Sequence, residues 1–309
     1  MKRVNRRCLS GILNHCYQRT KRGEVLFYTV SDYLVFFMQF CVAARKRDVR
    51  VLALCLMPDH IHHSTVPMRK KDLSSFVQDY SSQFVSEFNR ICRREGSLFQ
   101  RPFGSAPKVG AKKGRTNLIY VWNNPVERQL CEKAEAYRWN FLAYAGSTHP
   151  FSEKLVLSHS SKAMRRAVAE VKAQFHAGHA LTYHRLQCLF HVLDKKEKAQ
   201  LVDFIISTYN VIDYDEAFRY FDGASDALAA AHASTGSEHD LNEIFVGKSD
   251  AVYTRLTRVI MREVRPDDIH EILSGSPEER FRLLKLLRSK TDVPTEQIAK
   301  YLHLVLRGG

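Results

Sequence analysis

The chain has 309 residues, of which 45% are hydrophobic and 11% aromatic, so it can build packed cores and is not disordered throughout. No apolar run reaches the ~18 residues that a membrane span needs, and the length suggests two domains at roughly 100–200 residues each. The formal net charge of +14 lies wholly in residues 1–150, which hold 25 Lys/Arg and 11 Asp/Glu against 22 of each in residues 151–309. This asymmetry is typical of a nucleic-acid binder, although a basic surface can also serve solubility.

The basic half reads as an alternation of strands and helices. The predicted order is a strand at 10–19, a helix at 31–47 with its N-cap at Ser31-Asp32, strands at 49–57 and 61–66 joined by a turn at Pro58-Asp59, and a helix at 71–94. A basic Gly/Pro-rich loop at 96–116 suits a phosphate backbone and has room for another strand. A short helix at 116–124 is expected to stop at Pro125. This order predicts a ferredoxin-like α+β layer.

The stretch 146–150 is the best candidate for a domain boundary. We therefore expect an α+β domain over residues 1–148 and an all-α accessory domain over residues 149–309. The second half has ten candidate helices: 160–177, 181–191, 195–208, 214–222, 224–233, 239–246, 249–262, 266–274, 277–290 and 294–305. Near 277–305, the pattern T-x-Q-I-A-x-x-L is similar to part of a helix-turn-helix, but plain helical packing explains it as well.

The cysteines and the N-terminus indicate the compartment. Seven cysteines with no C-x-x-C pair are expected to be reduced thiols, and the basic N-terminus has no clean apolar core behind it, which argues against a secretory signal. We therefore expect a cytoplasmic protein.

Two short motifs carry candidate chemistry. His60 and His62 alternate on a predicted strand, so their imidazoles share a face and could bind a divalent metal as a pair, whereas His63 faces the other side. Tyr120 and Asn124 are four residues apart on a predicted helix, so the phenol and the amide project from the same face near one end of that helix. Tyrosine can act as a covalent nucleophile. Each motif alone has an ordinary packing explanation.

Six motifs in order make the first half similar to a known family. The matching stretches are Asn14-His15-Cys16-Tyr17-Gln18-Arg19 with Asp32-Tyr33-Leu34-Val35-Phe36, Leu56-Met57-Pro58-Asp59-His60-Ile61-His62, Tyr80 to Asn89, Gly96 to Phe103, Tyr120 to Val126, and Tyr137 to Gly146. Together they resemble the single-tyrosine HUH transposases of small insertion sequences, especially the REP-associated tyrosine transposase branch. The resemblance covers residues 10–146 and ends where the charge excess ends.

The resemblance implies a site and a reaction. It places His60 and His62 as metal ligands, Asn124 as a third polar ligand, and Tyr120 as the nucleophile, with Mg²⁺ or Mn²⁺ as the cofactor. It implies nicking and strand transfer of single-stranded DNA with hairpin ends through a 5′-phosphotyrosine link, in a bacterial, nucleoid-associated homodimer. Basic side chains of the first turn and the 96–116 loop are candidate DNA contacts: Arg19, Arg22, Arg101, Lys108, Lys112, Lys113 and Arg115.

The chain departs from the family pattern at a few places, and alternatives stay open. Asp59 stands where Asn is usual, and His63-Ser64-Thr65 is more polar than the usual run. Neither departure removes a ligand or the nucleophile. The alternatives are a domesticated DNA-binding regulator of repeated hairpin elements, a relaxase or replication initiator, and a metal-dependent hydrolase.

Overall fold

The computed structural model describes residues 7–100, 103–233 and 251–306. Its fold is α+β, with one four-stranded antiparallel sheet near the N-terminus followed by a largely helical region. Among the described residues, no helix is both long and apolar enough to cross a membrane. Arg101 and the predicted helix at 239–246 lie outside the described residues.

The sheet follows the predicted strand sequence. Its spatial order is β2-β3-β1-β4, and each neighbouring pair is antiparallel. The strands are β1 (Asn14–Arg19), β2 (Val49–Met57), β3 (His60–Pro67) and β4 (Gly104–Pro107). The predicted hairpin at Pro58-Asp59 and the additional strand in the 96–116 loop are both confirmed.

Two helices pack on one face of the sheet. They are α1 (Val30–Arg47) and α2 (Lys70–Ile91), and their aromatic side chains form the core with Leu54, Leu56 and Ile61. His63 points into this layer and contacts Phe40, Phe76 and Tyr80, as the alternation of the strand predicts.

The predicted N-cap of α1 is wrong by two positions. Thr29 is the N-cap residue, and its side chain accepts a hydrogen bond from the Asp32 backbone N–H at 3.3 Å. The Asp32 carboxylate accepts the Thr29 backbone N–H at 2.7 Å, so Asp32 closes a capping box from the third helical position.

The opposite face of the sheet is covered by α3 (Ala111–Glu127). The predicted helix at 116–124 was therefore too short at both ends, and Pro125 does not stop it. Proline removes one backbone donor, but α3 ends only two residues later, where the Arg128 N–H bonds the Asn124 carbonyl at 3.1 Å. The Ser64 hydroxyl donates to the Asn117 side chain at 2.7 Å and ties α3 to β3.

Short 3-10 turns between residues 134 and 145 lead into the helical region. Its described helices are α4 (Lys162–His176), α5 (Tyr183–His191), α6 (Lys195–Tyr209), α7 (Tyr214–Phe218), α8 (Ala224–Ala233), α9 (Ala251–Glu263), α10 (Glu271–Ser274), α11 (Pro277–Lys290) and α12 (Thr295–Tyr301). Buried side chains of several of these helices join the same hydrophobic cluster as α1 and α2.

Candidate active site

The site lies between the sheet and α3. Because side chains alternate along a strand, His60 and His62 point to the same side of β3, and His15 of β1 points there too. Cys55 and Met57 of β2 pair with His62 and His60 and complete this face. The ring centroids of His60 and His62 are 4.9 Å apart, and both histidines are buried.

The carboxylate of Asp59 orients the first histidine. Its Oδ1 lies 2.5 Å from His60 Nδ1, so that nitrogen is engaged within the hairpin turn. Burial opposes ionisation of Asp59, but the charge and hydrogen bond of His60 outweigh it and lower the pKa of the carboxyl. A histidine that binds a metal through one ring nitrogen commonly hydrogen-bonds a carboxylate through the other.

A third histidine, His15, orients the second. Its Nε2 lies 3.0 Å from His62 Nδ1, across the β1–β3 pairing. Burial, which is the largest cause, together with the neighbouring His60 and the positive charge of Arg19, holds the pKa of His62 well below its ordinary value. His62 is therefore a neutral imidazole at neutral pH, the form that binds a metal ion.

Tyr120 of α3 packs against both His62 and His15. Its ring centroid lies 5.3 Å from that of His62 and 5.5 Å from that of His15, in edge-to-face arrangements. The chain thus places the Tyr120 ring beside its own His62 and His15. Tyr120 is buried, as is Asn124 one helical turn further along α3.

Asn124 is fully buried, and neither its side-chain oxygen nor its nitrogen has a hydrogen-bond partner among the described residues. Leaving a buried polar group unsatisfied costs about 1–3 kcal/mol, so such a group calls for an explanation. A ligand for the amide oxygen would supply one. The helical spacing that places Asn124 on the same side of α3 as Tyr120 makes a shared ligand geometrically reasonable.

The donor set fits a divalent cation of the Mn²⁺ or Mg²⁺ kind. Within 7–100, 103–233 and 251–306, no group of three His, Cys, Asp or Glu side chains could hold a metal ion. The candidate set is instead two imidazoles and one amide. Since Nδ1 of each histidine is engaged, ligation would use Nε2 of His60 and His62 with Oδ1 of Asn124. Imidazole suits divalent transition metals in general, and the neutral amide oxygen is the donor that suits Mn²⁺ and Mg²⁺.

A basic cleft of about 280 Å³ opens beside His60. Its lining residues are Arg19, Thr20, Lys21, Arg22, Gly23, Asp59, His60, Gln100, Arg128 and Lys300. Two of the predicted DNA contacts, Arg19 and Arg22, therefore lie next to the candidate metal ligands. Tyr120, His62 and Asn124 are buried and do not line this cleft.

The remaining predicted DNA contacts lie elsewhere. Lys112 and Lys113 are exposed in the first turn of α3, and Lys108 is half-buried just after β4. Arg115 pairs with Asp226 of α8 at 2.8 Å and stacks on the ring of Phe221, so it ties two helices together. None of these four lines the cleft.

Several residues of the site carry little or no signal in the sequence. His15 belonged to a quoted motif but received no role, because its contact with His62 depends on the β1–β3 register. Arg128 and Lys21 adjoin motifs and could have been suspected from charge alone. Lys300 had no local signal, since it lies 240 positions from His60 in the chain.

No family model matches the chain, and no curated protein matches it. Among solved structures, the chain is similar to a REP-associated tyrosine transposase bound to a REP hairpin, with 19% sequence identity and a TM-score of 0.39. The similarity covers 45% of this chain and 81% of that chain. A likeness of this size does not by itself establish an activity.

Proposed function

We propose that the protein is a DNA transposase that cleaves and rejoins single-stranded DNA through a 5′-phosphotyrosine intermediate on Tyr120. The observation that carries the proposal is the packing of Tyr120 against His62, whose ring in turn lies 4.9 Å from that of His60. The sheet order β2-β3-β1-β4, with α1 and α2 on one face, is that expected for a ferredoxin-like HUH domain and supports it. The six motifs of residues 10–146 also support it.

The residues of the site would have separate roles in this reaction. His60, His62 and Asn124 would hold Mg²⁺ or Mn²⁺, which when bound offsets negative charge developing on the scissile phosphate. Tyr120 attacks the phosphorus through its phenolic oxygen, which loses its proton. The bond from phosphorus to the 3′ oxygen breaks, and that oxygen gains a proton and leaves as a 3′-hydroxyl. Attack by a 3′-hydroxyl on the phosphotyrosine link reverses the step and regenerates the phenol.

The surroundings support a nucleic-acid substrate. The basic cleft beside His60 is suited to backbone phosphates, and residues 1–150 carry the whole positive excess of the chain. From the motif resemblance we further propose that the substrate has hairpin ends and that the protein acts as a homodimer.

The first prediction concerns the nucleophile. The protein is incubated with single-stranded and hairpin-bearing oligonucleotides and Mn²⁺ or Mg²⁺, and products are separated on denaturing gels. We expect a covalent protein–DNA adduct that disappears in Tyr120→Phe, because the phenolic oxygen is the attacking atom.

Tyr80→Phe is the matched control, because Tyr80 is a buried tyrosine on the other face of the sheet, where its hydroxyl lies 3.3 Å from His63 Nε2. This variant should keep the adduct. An adduct that persists in Tyr120→Phe would show that another residue is the nucleophile.

One observation favours a second candidate function, a DNA-binding regulator without turnover. Tyr120 and Asn124 of α3 and His62 of β3 are buried, and the cleft reaches only His60 of the candidate set. A phosphate must therefore move inward, or α3 must move outward, before reaction. The same gel experiment separates the two functions, since a regulator binds the oligonucleotides without forming an adduct under any metal condition.

A further inference from the structure

The helical half of the chain contributes a side chain to the basic cleft. Lys300 belongs to α12, and its backbone carbonyl accepts a hydrogen bond from the Val25 N–H at 3.3 Å. This bond fixes α12 against the segment that follows the first strand. Lys300 lines the same cleft as His60, although the two residues lie at opposite ends of the chain.

The lysine stem and the turn after β1 fit closely together. Gly23 has a φ of +68°, and a Cβ at that position would lie 3.0 Å from Lys300 Nζ and 3.1 Å from its Cε. A larger residue would therefore be both strained and crowded at this position. The ammonium group of Lys300 is thus held beside the turn that carries Arg22.

Positive side chains outnumber negative ones in the lining of the cleft. Five basic side chains face it, and Asp59 is its one acidic lining residue among the described residues. Asp59 is already bonded to His60. The positive charges of Lys300 and Arg128 also help to lower the pKa of Asp59, so this one carboxylate faces several cations. Lys21 and Arg22 are exposed and Lys300 is half-buried, and a group of cations that outnumbers its carboxylates favours binding of an anion.

We infer that Lys300 and Arg22 hold a backbone phosphate of single-stranded DNA next to the phosphate that reacts at His60. This inference rests on the proposed function for its substrate and extends the site to the helical half of the chain. A phosphodiester is the anion that single-stranded DNA presents repeatedly, and lysine binds it as a point charge. The subsite is complete only when α12 is docked on Gly23 and Val25.

The second prediction tests this subsite by removing one charge. Lys300→Met keeps most of the stem that packs along Gly23 and removes the ammonium group. Binding of a fluorescent oligo(dT) strand is measured by anisotropy over a salt series, in EDTA and in a Tyr120→Phe background, so that neither metal nor covalent attack contributes. We expect affinity to fall by about 3- to 10-fold and the log–log salt slope to shrink by about 0.7, as for one lost phosphate contact on a single strand.

Lys285→Met is the matched control, because Lys285 is an exposed lysine of α11 that does not line the cleft. It should leave both affinity and salt slope unchanged. The salt slope reports the number of phosphate contacts, so partial unfolding of Lys300→Met would lower the active fraction without imitating the expected change.

The outcomes separate this inference from the proposed chemistry. If Lys300→Met and Lys285→Met bind alike, or if the chain does not bind oligo(dT), the subsite is refuted, even when the wild-type chain forms a Tyr120 adduct. If Lys300→Met alone loses affinity and slope while the wild-type chain forms no adduct, the subsite stands and the nuclease proposal fails.

Discussion

Each of the two candidate histidine ligands is oriented by a neighbouring polar side chain. Asp59 contacts His60 Nδ1 at 2.5 Å, and His15 contacts His62 Nδ1 at 3.0 Å. Such contacts fix the tautomer and the ring orientation, so that the two remaining nitrogens can converge on one ion. Asp59 departs from the Asn usual in the resembling family, and its charge gives His60 a stronger partner than an amide would.

The third prediction removes the partner of His62. His15→Leu replaces the ring with a side chain that fits an apolar site but cannot hydrogen-bond. We expect the affinity for Mn²⁺ to fall by about 10- to 100-fold, because the orientation and tautomer of His62 are no longer fixed. Titration calorimetry or electron paramagnetic resonance of Mn²⁺ gives the dissociation constant.

The control for this change is His176→Leu, which alters an exposed histidine in the last turn of α4. Its Mn²⁺ affinity should equal that of the wild-type chain. A His15→Leu protein that folds and binds Mn²⁺ as tightly as the wild type would leave His15 with a packing role only.

The local parts of the site could be predicted, and the cross-strand parts could not. The period of two on a strand pairs His60 with His62, and the spacing of four on a helix pairs Tyr120 with Asn124. His15 of β1 lies diagonally opposite His62 of β3, since its direct partner in the strand register is Ser64. That register arises from pairing between strands separated by α1 and β2, which no local pattern encodes.

At the scale of elements, α3 shows how packing overrides a local stop signal. Pro125 was expected to end the helix, but it lies in the last turn, so its missing backbone donor weakens only the end of α3. The helix also begins earlier than expected, directly after Gly110, whose φ is +87°. The longer helix places Gly114 against the helical half of the chain.

The fourth prediction concerns the contact between Gly114 and Tyr220. An added Cβ at Gly114 would lie 2.1 Å from the Tyr220 ring. Replacing an exposed helical glycine by alanine normally stabilises a helix by about 1 kcal/mol. Here we expect Gly114→Ala to lower the free energy of unfolding by about 1–3 kcal/mol, because the methyl group overpacks the contact. Urea unfolding followed by circular dichroism measures the change.

The matched background is Tyr220→Ala, which removes the obstructing ring. In that background Gly114→Ala should instead raise the free energy of unfolding by up to about 1 kcal/mol, since only the helix propensity remains. The sign of the effect must therefore invert between the two backgrounds. A stabilising Gly114→Ala in the wild-type background would contradict the close packing of α3 and Tyr220.

At the scale of the whole molecule, the two halves are joined more closely than their charges suggest. A boundary at 146–150 was expected from composition, yet Phe36 and Phe40 of α1 share one hydrophobic cluster with Ile205 of α6 and Tyr301 of α12. Charge asymmetry reports on surfaces, whereas contacts between distant segments depend on core packing that composition does not reveal. The helix-turn-helix resemblance is untested, but α12 buries most of its residues and is short, which favours a packing role.

A buried polar network also links the halves. Asp32 of α1 is fully buried and accepts hydrogen bonds from the Tyr183 hydroxyl at 2.7 Å and from His270 Nε2 at 2.8 Å. His270 Nδ1 lies 2.5 Å from Asp268, so the imidazole is held between two carboxylates. Burial alone would lower the pKa of His270, but the two carboxylates outweigh it and raise that pKa from 6.5 to about 10.

The fifth prediction follows from this raised pKa. Because the folded state binds the proton more tightly than the unfolded state, the stabilisation by His270 is fully present below the unfolded value of 6.5 and is lost as the pH rises through about 10. His270→Gln leaves Asp32 buried beside an uncharged side chain, so we expect it to lower the free energy of unfolding by about 3 kcal/mol at pH 6. The difference between wild type and variant should shrink steadily between pH 6.5 and 10, as measured by urea unfolding at each pH. The contrasting control is His303→Gln, because burial lowers the pKa of His303 to about 3. The difference in unfolding free energy between wild type and His303→Gln should therefore not shrink between pH 6.5 and 10. A constant difference between wild type and His270→Gln from pH 6 to 10 would mean that His270 is neutral in the folded chain and that the link between the halves does not depend on its charge.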